Sequence, residues 1–152
     1  MLNLEYILFY KDTRMKILKK TVLGVLLVAS SLSAEVINIE ATPAFIKDTK
    51  LKIIDIRTQG EWIETGIVRG SYTITFFDER GNYNIESFLA QLDSIVTKDE
   101  KFALICRTGS RTGMISNFLG KKLNYHVVNL KGGIMKLFRE GFEPEFYAPK
   151  KR

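Results

Sequence analysis

The single cysteine of the 152-residue chain opens the stretch Cys106-Arg107-Thr108-Gly109-Ser110-Arg111-Thr112. A lone cysteine often sits inert in a core, but apolar packing has no need of two arginines beside the sulfur. Gly109 lets the backbone turn sharply, because a positive φ costs little without a Cβ. The loop can then curl its amides towards the sulfur. A helix starting just beyond it adds partial positive charge, and Arg107 and Arg111 add full charges. Each factor favours thiolate over thiol; a free cysteine titrates near ~8.5, and electropositive sites bring it to roughly 3.5–7.5. The residues point to a reactive, anion-binding Cys106 surrounded by Arg107, Thr108, Gly109, Ser110, Arg111 and Thr112.

Such a loop needs a strand before it and a helix after it. Phe102 to Ile105 is a short apolar run, which fits a buried strand. Met114, Ile115, Phe118 and Leu119 recur at helical spacing. Elsewhere, Val36–Ile39, Leu51–Arg57, Ser71–Phe77 and Tyr125–Leu130 read as further strands, the third rich in β-branched and aromatic residues. Thr42 caps a helix with Pro43 at its first position, and Thr58–Trp62 opens another. Asn84 caps a third, whose Ile85, Phe88, Leu89, Leu92, Ile95 and Val96 form one buried face. Lys131-Gly132-Gly133 turns into a last helix carrying Ile134, Leu137 and Phe138, with Gly141 at its end. Alternating strands and helices predict an α/β fold with a mostly parallel five-stranded sheet. Ligands of such sheets bind beyond the carboxyl ends of the strands. Cys106 sits at one such end, and Asp55 and Arg57 at another, so these two are expected to support the same rim.

The loop resembles the active-site loop of the rhodanese (sulfurtransferase) family, Cys-Arg-x-Gly-x-Arg followed by Ser or Thr, unbroken from Cys106 to Thr112. The likeness extends over about residues 36–143, through Asp55-Ile56-Arg57, Glu61-Trp62, the Gly66…Gly70-Ser71 turn and Leu130-x-Gly132-Gly133-Ile134. It implies a rhodanese-like domain in which Cys106 takes a sulfur from a small anionic donor such as thiosulfate and carries it as a persulfide. Arg107 and the loop amides would bind the donor, Thr108 and Ser110 would offer hydroxyls, and Thr112 would cap the following helix. Arg111 would either bind substrate or pair with Asp55 to hold the loop's shape. A thiol or a protein would accept the sulfur, and a pure persulfide carrier would use the same cysteine. The resemblance departs at Gly66-Ile67-Val68-Arg69-Gly70-Ser71, which lacks the family's His and Pro, and at Leu137 in place of a tryptophan; these bear on substrate choice. Protein tyrosine phosphatases and arsenate reductases are the rival reading. The phosphatase loop is one residue longer, Cys-x5-Arg, which here would put the arginine at Thr112. The shorter ring suits a single sulfur better than a phosphate.

Net charge is +6, and residues 1–34 hold five basic groups against two acidic ones. The remainder is only mildly basic, which suits a small anion and does not argue for nucleic acid. Met15-Lys16-Ile17-Leu18-Lys19-Lys20, the apolar Thr21–Ala29 and the mostly small residues 30–34 have the layout of a secretory signal peptide. The apolar stretch is about half the ~20 residues of a membrane-spanning helix, so no stable span is expected, an uncleaved anchor being the alternative. Residues 1–14 put an acidic residue and a second apolar patch ahead of that leader, so translation is expected to start at Met15. Residues 35–152 would form one domain, working in the periplasm or outside the cell. One cysteine permits no internal disulfide there, and an unpaired thiol in an oxidising compartment is a liability unless used. One cysteine and one histidine make no zinc site, and no cofactor is implied. His126 reads as a core or edge packing residue, and Trp62, Phe76 and Phe77 as residues that pack in the core or line the pocket wall.

Overall fold

The computed structural model describes Ala34 and residues 36–149. The leader expected over residues 1–34, with its start at Met15, lies outside them except for Ala34, as does the basic tail 150–152.

Five strands form one sheet: β1 (Val36–Glu40), β2 (Lys52–Asp55), β3 (Tyr72–Thr73), β4 (Phe102–Ile105) and β5 (Val127–Lys131). Their spatial order is β1-β5-β4-β2-β3, and every pairing is parallel. Between them run α1 (Pro43–Asp48), α2 (Gln59–Thr65), α3 (Ile85–Asp93), α4 (Ser110–Leu123) and α5 (Gly133–Arg139). This is the expected α/β architecture. The sheet is covered on both faces, as parallel sheets require. The side chains of β4 alternate accordingly. Phe102 and Leu104 join Phe88, Leu92, Ile115 and Leu119 of α3 and α4, whereas Ala103 and Ile105 join Ile134 and Leu137 of α5. All four residues of β4 are buried, so the strand that delivers Cys106 is the most enclosed in the sheet.

Local chemistry sets the boundaries. Thr42 and Asn84 cap α1 and α3 through side-chain oxygens that accept from Phe45 and Ser87, as expected. The third strand is much shorter than Ser71–Phe77. Beyond Thr73 the amides of Ile74 and Phe76 bond to Asp55 and Ile56 and the Thr75 hydroxyl donates to the Arg57 carbonyl, while Phe77 pairs with Tyr83. The fifth strand begins at Val127 rather than Tyr125, because Tyr125 still belongs to the end of α4. Asn124 is left-handed there at φ 64°, and the amides of Asn124 and Tyr125 bond back to Gly120 and Leu119, a Schellman-type stop.

Candidate functional site

The segment between β4 and α4 places Cys106 at the carboxyl end of the central strand, with the sulfur at the base of a loop and no exposed surface on the residue. The chain turns at Gly109, whose φ of 92° makes it the N-cap of α4. A Cβ there would come within 2.8 Å of the Gly132 amide nitrogen. The Gly109 amide donates to Cys106 Sγ at 3.2 Å. Thr112 brings its hydroxyl to 3.6 Å from the sulfur and donates it to the Gly109 carbonyl at 3.1 Å. Thr112 was expected to cap α4. The helix instead starts at Ser110, and Thr112 lies in its first turn facing the sulfur, because the glycine supplies the cap.

The loop's other carbonyls are anchored from outside. Cys106 O accepts from Ile134 N at 2.9 Å and Arg107 O from Met135 N at 3.1 Å, both in the first turn of α5. In a planar trans peptide the C=O and the next N–H point in opposite directions. Fixing these two carbonyls therefore turns the amides of Arg107 and Thr108 away from α5, and neither finds a partner among the described residues. Gly133 makes the approach possible: at φ 60°, its Cβ would lie 2.3 Å from Cys106 O.

The two arginines behave differently from each other. Arg111 forms a bidentate pair with Glu61 of α2, Nη1 to Oε2 at 2.8 Å and Nη2 to Oε1 at 2.6 Å. Arg107 turns outward to Glu64, one helical turn along α2, at 3.1 Å. One short helix thus neutralises both guanidinium groups. The cysteine's surroundings are less cationic than the arginines alone suggest. Burial alone would raise the Glu61 carboxyl, but the Arg111 hydrogen bond, the Thr58 amide and the guanidinium charges of Arg111 and Arg57 outweigh it. The carboxyl is held below its ordinary range. Arg111 is raised in turn, chiefly by its bond to Glu61; burial opposes this, and the Cys106 sulfur adds a smaller pull upwards.

Asp55 was expected on the rim, as a partner for Arg111. It is fully buried and already saturated by Arg57, whose Nε donates to both carboxylate oxygens and whose Nη2 donates to Oδ2 at 2.6 Å. Arg57 is equally buried and spends its remaining donors on Thr65 Oγ1 and Gly66 O. The pair therefore ties β2 to the far end of α2 and lines no surface. Thr58 and Glu61 form a capping box on α2, so the carboxylate that holds Arg111 is itself fixed by the helix start. Thr108 and Ser110 remain exposed at the mouth, with their hydroxyls 3.3 Å apart.

Glu61, Glu64 and the first turn of α5 are the site's unforeseen members. Glu61 and Gly132-Gly133 stood in the sequence as landmarks without a role. The signal for the carboxylates was their spacing: residues three apart on a helix share a face, as two loop cations would require.

Residues 40–140 match the family described as the rhodanese-like domain. No curated protein matches the chain. A rhodanese-like domain protein from Staphylococcus aureus superposes with a TM-score of 0.52 at 22% identity, covering 72% of this chain and 98% of that one. The rhodanese-like domain of an Anabaena protein gives a TM-score of 0.54 at 18% identity, over 71% of this chain and 79% of that chain. At these identities the likeness is one of fold.

Proposed function

The chain belongs to the rhodanese-like domain family, and from that premise we propose that it is a sulfurtransferase working through a Cys106 persulfide. The observation that carries this reading is a buried sulfur with an amide hydrogen bond, at the base of a loop whose carbonyls are drawn off to α5. Cys106 Sγ attacks the outer sulfur of a thiosulfate-like donor. A new S–S bond forms, the donor's own S–S bond breaks, and the electron pair leaves on sulfite. The outer sulfur then stands ~2 Å beyond Sγ, nearer the mouth, within reach of the Arg107 and Thr108 amides, which have no partner among the described residues. An acceptor nucleophile takes that outer sulfur and the pair returns to Sγ. A fully buried Sγ favours this order, since a bulky acceptor needs to reach only the second sulfur. Arg107 is the residue that meets the anionic donor, exchanging Glu64 for it, while Arg111 holds the loop. The leader pattern over residues 15–34 makes this an exported protein.

The test is the intact mass of the protein after thiosulfate treatment, with Cys106→Ser alongside. A gain of one sulfur on the wild type alone is the expected result. No gain, together with turnover of p-nitrophenyl phosphate, would move the site to phosphoryl chemistry. Slow cyanide turnover combined with fast transfer to one protein would make the chain a persulfide carrier.

A further inference from the structure

Beside the loop, between the start of α4 and the segment after β3, lies a cavity of about 440 Å³. Phe76, Phe77, Tyr83, Ile85, Met114 and Phe118 line it, and no lining side chain carries a charge. Tyr83 and Met114 are 60% and 62% exposed; among the described residues Ile63, Tyr72 and Phe146 are exposed too, but none of these lines the cavity. Two connections join this groove to Cys106. Met114 follows Ser110 by four residues on α4, so both lie on one stripe of the helix, ~6 Å apart along its axis, and both are exposed. On the other side, Phe76 N bonds to Ile56 O, and Ile56 N bonds to Ile105 O, the residue before Cys106. Phe76 is therefore two strand spacings, ~10 Å, from the base of the loop.

The groove offers an anionic donor nothing, since it brings no cation. Its volume lies in the range of small-molecule sites, roughly 300–1,000 Å³. We propose that it seats the apolar body of the sulfur acceptor, a small aliphatic or aryl thiol whose sulfur reaches the loop mouth past Ser110. This rests on the sulfurtransferase reading and names the substrate class of its second half-reaction. The acceptor thiolate attacks the outer sulfur of the Cys106 persulfide. An S–S bond forms to the acceptor as the bond to Sγ breaks, Sγ leaves as thiolate, and the acceptor departs as an organic persulfide. Electrons balance without an added oxidant or reductant.

The full-length protein is loaded with thiosulfate, freed of excess and mixed with benzyl mercaptan, 2-mercaptoethanol or cyanide, and persulfide loss is followed by intact mass. Benzyl mercaptan is expected to react about tenfold faster than 2-mercaptoethanol at equal thiolate concentration, as burial of its ring implies. Met114→Glu, at an exposed position, is expected to lower the ratio of the benzyl mercaptan rate to the cyanide rate about fivefold, because it sets a charge against the ring. Thiol rates within twofold of each other, or a variant that slows all acceptors alike, overturn the proposal. If no sulfur loads on Cys106, the sulfurtransferase reading falls and this one with it. Normal loading and cyanide release without a thiol preference removes this one alone. Independently of turnover, benzyl alcohol should shift the Met114 methyl resonance, and an unmoved resonance at millimolar alcohol likewise overturns the groove as an apolar seat.

Discussion

Replacing Glu61 by glutamine removes the charge that three donors share: the Thr58 amide at 3.1 Å and the two Arg111 nitrogens at 2.8 and 2.6 Å. Glutamine keeps one acceptor oxygen but turns an amide group towards the guanidinium. A hydrogen bond to a charged group contributes about 1.5–3 kcal/mol. The side chains of this pair keep 24% and 15% of their exposure, so solvent screening puts the expected loss near the lower end, about 2 kcal/mol. For a domain of this size that lowers Tm by roughly 8 °C. The pH dependence gives the reasoning a second edge. Glu61 has a folded-state value below its ordinary 4.5, so its contribution is complete above that value and is lost as pH falls through the lower, folded one. Urea unfolding at pH 7 should separate wild type from Glu61→Gln, and the gap should close as the solution is acidified below the ordinary carboxylate range. Because Arg111 loses its brace, persulfide formation should slow about tenfold, or ~1.4 kcal/mol in the barrier. A cycle with Arg111→Gln should give a coupling of about 1 kcal/mol or more. A neutral-pH gap under about 0.5 kcal/mol, or one that persists unchanged in acid, would refute the account of Glu61 as the loop's brace.

Gly133→Ala should cost about 2 kcal/mol or more, since a left-handed Cβ is itself unfavourable by ~1–2 kcal/mol and here also meets the Cys106 carbonyl; a variant that unfolds and loads sulfur like wild type counts against the α5 anchor. Arg107→Ala should leave urea stability within about 0.5 kcal/mol, because its pair with Glu64 is exposed, while raising KM for thiosulfate several-fold in the cyanide assay; an unchanged KM removes Arg107 from donor binding. Asp55→Asn should destabilise by about 3–5 kcal/mol, the cost of breaking a buried pair, with calorimetry as the readout; a mild effect would mean that Asp55 and Arg57 do not secure α2. Tyr125→Phe should cost about 1–2 kcal/mol by removing the hydroxyl that donates to Asp93 Oδ1, again read from urea curves.

Much of the scaffold was legible because its cues are local. The apolar run Phe102–Ile105, the Thr42-Pro43 start and the Asn84 cap depend on residues within a turn of one another, and each stands where expected. Gly109 also announced its turn. The third strand and the charge partners were illegible for the opposite reason. Where Ser71–Phe77 leaves the sheet is set by its partners, β2 on one side and Tyr83 facing Phe77, rather than by its own residues. Arg111 faces Glu61, fifty residues away in sequence, because Arg57 had already taken Asp55 from two residues' distance. Proximity in sequence decided which arginine the aspartate received, and the other had to look to α2. In the sequence Met114 is only one of four apolar residues at helical spacing; its exposure shows once the fold is assembled and leaves a gap beside Phe76 and Tyr83.

The grip of α5 on the Cys106 and Arg107 carbonyls also bears on how such a protein could evolve. The circumference of the loop around Cys106 is dictated by a separate part of the chain, the spacing between the end of β4 and the double-glycine turn. Inserting one residue after Cys106, enough to reach phosphatase length, would leave the Cys106 carbonyl on Ile134 but put the Arg107 carbonyl out of step with Met135, and would carry Arg111 past Glu61. A change of reaction class by loop lengthening therefore calls for compensating edits at α5 and at α2 together.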